Sequence, residues 1–140
     1  MTKFIKDNKK RVIYGNDGSP DTIEVNPQSN NIIDKMEREY PEMMKEFRKI
    51  QEEQYELFAK KQQAYGKNSI LMGGDINKSD DRQMALSGVV IRLNDKLQRL
   101  LNLVLKNKKS AVDENVEDTF IDIANYANIA LVVSRKKWGK

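Results

Sequence analysis

The sequence predicts a mostly α-helical protein, a bundle of three or four main helices with a short N-terminal β-hairpin. Three observations carry this. Apolar residues recur at helical spacing over three long stretches, Met36 to Ala64, Leu86 to Val104 and Val116 to Leu131. Two β-branched runs flank a cluster of turn residues within positions 11–25. The composition, 39% hydrophobic and 33% charged, suits helices that each bury one stripe and leave the rest in water. At 140 residues the chain has about the length of one domain. Residues 1–30 read as a basic arm and hairpin, and 31–140 as the helical domain.

The opening segment MTKFIKDNKK is short and basic, an arm or a first strand. Arg11–Tyr14 and Thr22–Val25 then read as strands joined through Gly-Asn-Asp-Gly-Ser-Pro. A lone hairpin is marginal in water, so it needs support from the helices or from a partner chain. Asn31 caps the next helix, with Asp34 in its first turn. Met36, Tyr40, Met43, Phe47, Ile50, Leu57 and Ala64 form a seam, with Gln54 and Lys61 at skipped positions. Pro41 breaks that seam, which predicts a short helix and then a long one to about Gln63. Tyr65-Gly66 is its stop, with Gly66 in the left-handed cap position.

Gly66–Asp80 is the least regular stretch. Its apolar trio Ile70-Leu71-Met72 predicts a docked loop or a lid over a ligand. The next helix starts near Ser79–Asp81, with a stripe at Leu86, Val90 (with Val89), Leu93, Leu97, Leu100 and Val104, and ends in Lys106-Asn107-Lys108-Lys109. The last helix begins at Asp113-Glu114 and carries Val116, Phe120, Ile123, Ala127 and Ala130/Leu131 to about Ser134. The short connection between these two helices predicts antiparallel neighbours. A basic tail, Arg135–Lys140, holds the single Trp138, placed to contact nucleic acid or to fold back on the bundle.

The chain has 0 Cys and 0 His. That excludes disulfides, thiol nucleophiles, zinc fingers and any Ser-His-Asp triad. Carboxylates, Lys/Arg, Tyr and hydroxyls remain, with oxygen-preferring metals such as Mg²⁺. The net charge of +4 admits polyanionic partners, nucleic acid through the basic ends among them. No apolar run approaches the ~20 residues of a membrane span, and the first residues lack an apolar signal core, so a cytoplasmic location without membrane contact is expected. Neither GxxxxGK[ST] nor GxGxxG occurs.

Arg92, Asp95, Lys96 and Arg99 occupy i, i+3, i+4 and i+7, one polar stripe on a helix. An Arg fork matches phosphate oxygens, and the same stripe also reads as a solvated face with ordinary ion pairs. Glu114, Asp118 and Asp122 step by four. Such carboxylates chelate Mg²⁺ or serve helix-dipole stabilisation. Asp122 lies beyond the dipole's reach and beside Phe120 and Ile123, so it needs a specific partner such as Arg92, Lys96 or Arg99. Tyr65 at a helix end is placed to stack on a base or to pack in the core.

The order Tyr65-Gly66…Asn68, Leu86-Ser87-Gly88-Val89…Arg92-Leu93-x-Asp95-Lys96-x-x-Arg99-Leu100, Val112-x-Glu114…Asp118-Thr119-x-x-Asp122-x-x-x-Tyr126-Ala127 resembles the phage-type nucleotide modification associated domain 1 family, over roughly Ala64–Leu131. The resemblance implies a small helical protein of bacteriophages or prophages, associated with nucleotide chemistry in the host cytoplasm. A more distant likeness is to MazG-like all-α nucleotide pyrophosphohydrolases, which hold Mg²⁺ with ExxE and ExxD carboxylates. Glu114–Glu117 matches ExxE, and no ExxD follows.

These readings converge on recognition of a phosphate-bearing nucleotide or derivative, for nucleotide modification or to sequester a host defence signal. Arg92, Lys96 and Arg99 are the expected phosphate ligands, Asp95, Asp118 and Asp122 orient them, and Tyr65 or Tyr126 holds the base. One alternative is Mg²⁺-dependent hydrolysis of a nucleoside triphosphate at Glu114, Asp118 and Asp122. Another is a structural or DNA-contacting phage protein. The unsupported hairpin and the long Met36–Leu57 seam predict a homo-oligomer.

Overall fold

Pro27 and Pro41 each open a helix, at the one position where a missing backbone N–H costs nothing. Helix α1 spans Pro27–Glu39 and α2 spans Pro41–Tyr65. The computed structural model describes the backbone of residues 6–7, 10–14, 20–24, 27–106 and 115–140, with side chains from residue 31 onward. The chain clusters into two units, Met1–Ile50 and Gln51–Lys140, so the division falls inside α2.

In the first unit, β1 (Lys6–Asp7), β2 (Lys10–Tyr14) and β3 (Pro20–Glu24) pair antiparallel in that order. Lys10 faces Glu24, Val12 faces Thr22 and Tyr14 faces Pro20. The expected turn, residues 15–19, lies outside the described residues. At the α1–α2 junction Tyr40 N still donates to Met36 O at 2.8 Å, but Pro41 has no N–H for the next carbonyl. The chain bends there, and Arg48 reaches back to Glu37 at 2.6 Å. Tyr40, Met43 and Phe47 are exposed.

The second unit is built from the end of α2, a short α3 (Asn68–Leu71), α4 (Ser79–Leu100) and α5 (Val116–Ser134). Gly66 ends α2 at φ +66°, where an L side chain is strained. The trio Ile70-Leu71-Met72 divides: Ile70 and Leu71 enter the core with Ile76, while Met72 turns outward. The loop is thus docked along its length. α4 closes with a π-helical turn, Leu101–Leu105, marked by Lys106 N donating to Leu101 O at 3.1 Å. The expected start of α5 at Asp113-Glu114 lies outside the described residues. Its N-cap is Asn115, whose side chain accepts from Asp118 N at 2.7 Å while Asp118 returns a bond to Asn115 N.

The pairs Lys96–Asp122 and Arg99–Thr119 make α4 and α5 antiparallel. Lys61–Asp122 and Gln54–Asn125 make α2 antiparallel to α5. The core holds Ile70, Leu71, Ile76, Ala85, Val89, Ile129, Val133 and Trp138. Trp138 therefore folds back: its Nε1 donates to Lys67 O at 2.9 Å and its ring meets Phe58 edge-on. Two expected stripes are corrected. On α4 the buried residues are Ala85, Val89 and Leu100, while Val90 (62% exposed), Leu97 (50%) and Val104 face solvent. On α5 they are Thr119, Asn125, Ile129 and Val133, while Phe120 and Leu131 are exposed. Both helices are turned by about one residue from the largest apolar stripe, because α2 and the docked loop pack on the neighbouring face.

Candidate functional site

Two antiparallel helices each lend one face to a cleft of about 360 Å³. From α2 come Phe58, Lys61, Gln62 and Tyr65, and from α5 Asp122, Asn125, Tyr126 and Ile129. Both sets follow the i, i+3, i+4, i+7 spacing that puts residues on one side of a helix. Ser69 and Ile70 of the docked loop close one end, and Arg92 of α4 enters beside them.

Asp122 is the electrostatic pivot. Its side chain is only 14% exposed, and its two oxygens take Lys61 Nζ at 2.6 Å and Lys96 Nζ at 2.8 Å. Burial works against its ionisation, but the hydrogen bonds and charges of the two lysines outweigh it and hold the carboxyl below its ordinary range. Arg92 is anchored differently. One Nη2–H donates to Ser69 O at 2.9 Å. Its other donors meet no partner among the described residues, and the head is half-buried at the cleft. Counting Lys61, Arg92 and Lys96 against Asp122, the region carries three cations to one carboxylate.

The structure separates the residues that the sequence groups together. Arg92, Asp122, Tyr65 and Tyr126 meet in the cleft. Lys96 stands behind it, clamping Asp122. Arg99 turns to Thr119 Oγ1 at 3.1 Å, and Asp95 is exposed away from the cleft. Asp118 belongs to the capping box of α5. Asp122 pairs with a cation of the preceding helix as expected, namely Lys96, and also with Lys61.

For the metal set, Glu114 lies outside the described residues. Among the described residues no three carboxylates gather closely enough to hold a metal ion. A divalent cation at Asp122 would have to displace two ammonium groups. No helix among the described residues is long and apolar enough to cross a membrane.

Sequence reasoning missed Lys61, Gln62 and Phe58. Lys61 appeared as a gap in the apolar seam, although a charged residue at a seam position signals a buried partner. Asn125 lies three residues past Asp122 and lines the cleft beside it.

No curated protein and no solved structure matches the chain. The family model for nucleotide modification associated domain 1 matches residues 61–133, just over half of the chain. The matched segment runs from Lys61 to Val133 and so includes Arg92, Lys96, Asp122, Asn125 and Tyr126. The chain belongs to the nucleotide modification associated domain 1 family.

Proposed function

We propose that the cleft binds a phosphate-bearing nucleotide or nucleotide derivative. The observation that carries this reading is Arg92, a half-buried guanidinium with one anchor and open donors in an aromatic-lined, net-positive cleft. A guanidinium so held is preorganised for an anion, because Ser69 O fixes its orientation and the fork keeps its remaining N–H groups in one plane. Lys61 adds charge while remaining tethered to Asp122. Phe58, Tyr65 and Tyr126 supply flat apolar surface for a base. The cleft volume lies at the lower end of the ~300–1,000 Å³ common for small-molecule sites.

The protein works on this reading as a homo-oligomer. Val90, Ile91, Leu97, Val104 and Leu105 leave an exposed apolar face along α4 and its π-helical turn. The residues of that face are uncharged, so a second copy can meet it about a two-fold axis without like-charge repulsion. Binding serves either nucleotide modification or the sequestration of a host nucleotide signal in a phage setting.

The test is calorimetry and thermal shift against a nucleotide panel, with mass spectrometry of small molecules that co-purify. Micromolar binding lost in Arg92→Ala supports the reading. A cleft that binds no nucleotide in the panel overturns it. A sequestering protein returns its ligand intact on denaturation, whereas an enzyme releases product.

A further inference from the structure

Asn125 is buried at 8% exposure and lines the cleft. With Phe58 and Ile129 it partitions the cleft from a second groove bounded by Gln54, Tyr55 and Leu131. Its Nδ2 donates to the Gln54 carbonyl oxygen at 3.3 Å. That bond fixes the amide orientation, because a carbonyl can face only the nitrogen. Gln54 borders the second groove and not the cleft. The nitrogen is thus engaged by Gln54, and Oδ1, on the opposite branch, is the atom left for a ligand in the cleft that Asn125 lines. Oδ1 has no hydrogen-bond donor among the described residues. A buried acceptor left without a donor is costly and uncommon, and such groups recur where a ligand or water completes them.

Resting on the nucleotide reading above, we infer that Asn125 determines base specificity, its Oδ1 accepting a hydrogen bond from the exocyclic amine of an amino-bearing nucleobase. The amine is favoured over a ring N–H on steric and electrostatic grounds. An exocyclic amine projects from the ring and reaches a recessed oxygen. The N–H of uracil sits back between two carbonyl oxygens and that of hypoxanthine beside one, and such an oxygen repels Oδ1. Phe58 and Tyr126, neighbours of Asn125 in the cleft wall, supply the apolar contacts that keep water from replacing the amine. Arg92 holds the phosphate end, so base and phosphate contacts lie on different helices and can be separated by mutation.

The experiment compares AMP with IMP and CMP with UMP by calorimetry on the full chain. In at least one pair the amino member should bind about 10- to 100-fold more tightly than its deaminated counterpart, the value of one buried hydrogen bond. Asn125→Leu, close in shape, should erase that ratio. Arg92→Lys should weaken both members of a pair equally and leave the ratio intact. The wild-type ratios stand as a test even if Asn125→Leu does not fold. Nucleotides that bind without an amino preference overturn this inference and leave the nucleotide reading standing. An amino preference that survives in folded Asn125→Leu also overturns it. Failure of all four to bind overturns this inference, and the nucleotide reading then falls only if the wider panel also fails to bind.

Discussion

The two sides of the α4–α5 pair differ in their polar content. The inner side sets Thr119 and Asn125, with Lys96 and Asp122, among buried apolar residues Ala85, Val89, Leu100, Ile129 and Val133. The outer side exposes large apolar ones: Val90, Ile91, Leu97, Phe120 and Leu131. Hydrophobic transfer alone does not decide which way the helices turn, because both faces carry large apolar residues. The inner side is held instead by complementarity. Thr119 is fully buried with its hydroxyl donating to Asn115 O and accepting from Arg99 Nε, and Asp122 is matched by two ammonium groups. The difference teaches that the interior accommodates matched polar groups, while large apolar residues remain on the exposed face.

The largest expected effect comes from breaking the inner side at its pivot. Asp122→Ala leaves Lys61 and Lys96 facing each other without a carboxylate. It should cost about 2–4 kcal/mol of stability, below the upper range for a wholly buried pair because both ammonium groups retain some access to water. Urea denaturation reads this directly. A loss under ~0.5 kcal/mol would mean the clamp holds nothing together.

The outer side is sharpened by one charge. Leu97→Glu places a carboxylate in the middle of the exposed face, where Leu97 is 50% exposed and packs little within its own chain. Folding stability should change by less than about 1 kcal/mol. The mass in solution should fall from that of an oligomer to about 16.2 kDa. A wild-type protein already at the monomer mass across micromolar concentrations would remove the association argument.

That contrast also marks where sequence reading works. Three element limits were legible because local chemistry sets them, with Pro41 opening α2, Gly66 closing it and Ser79 opening α4, whereas α1 opens at Pro27 and the expected cap Asn31 lies inside it. Asp122 was legible because the helix dipole does not explain a carboxylate two turns inside α5. Which face of α4 turns inward was not legible. Periodicity finds the stripe Leu86–Val90–Leu93–Leu97–Leu100–Val104, of which Leu86, Leu93 and Leu100 pack inward while Val90, Leu97 and Val104 face solvent. A helix with two usable faces is oriented by its neighbours, here α2 and the Ile70–Ile76 loop, and their placement is a long-range property. For the same reason the Arg92–Arg99 stripe looked like one site, although the ~10 Å rise between its ends sets Arg92 beside Ser69 and Arg99 beside Thr119.

A smaller effect separates the members of that stripe. Arg92→Lys removes the fork from the cleft and should weaken nucleotide binding by roughly 1–3 kcal/mol with the charge preserved. Arg99→Lys should leave binding within a factor of about two, because Arg99 serves Thr119. Its loss should appear as about 1 kcal/mol of stability instead. Calorimetry and denaturation on both variants decide the matter, and equal binding losses would place Arg99 in the cleft after all.

The smallest effect is the pH dependence of the inner side. Asp122 is held below its ordinary carboxylate pKa in the folded chain, with burial opposing and Lys61 and Lys96 favouring the charged form. A depressed folded pKa means the unfolded chain binds the proton more readily. Its stabilisation is therefore complete above the unfolded value, near 3.9 for Asp, and is lost as pH falls through the lower, folded value. From neutral pH down to about 5 this group should add no pH dependence to the melting temperature, and below about 4 the melting temperature should drop. Asp122→Asn cannot titrate there, so its melting curve should be lower at pH 7 and should converge on the wild type in acid. Leu97→Glu provides the counterpart: an exposed carboxylate on the outer side gains no such partner, so its stability relative to wild type should stay flat over the same window. Parallel acid profiles for wild type and Asp122→Asn would show that the two lysines do not hold Asp122 in its charged form.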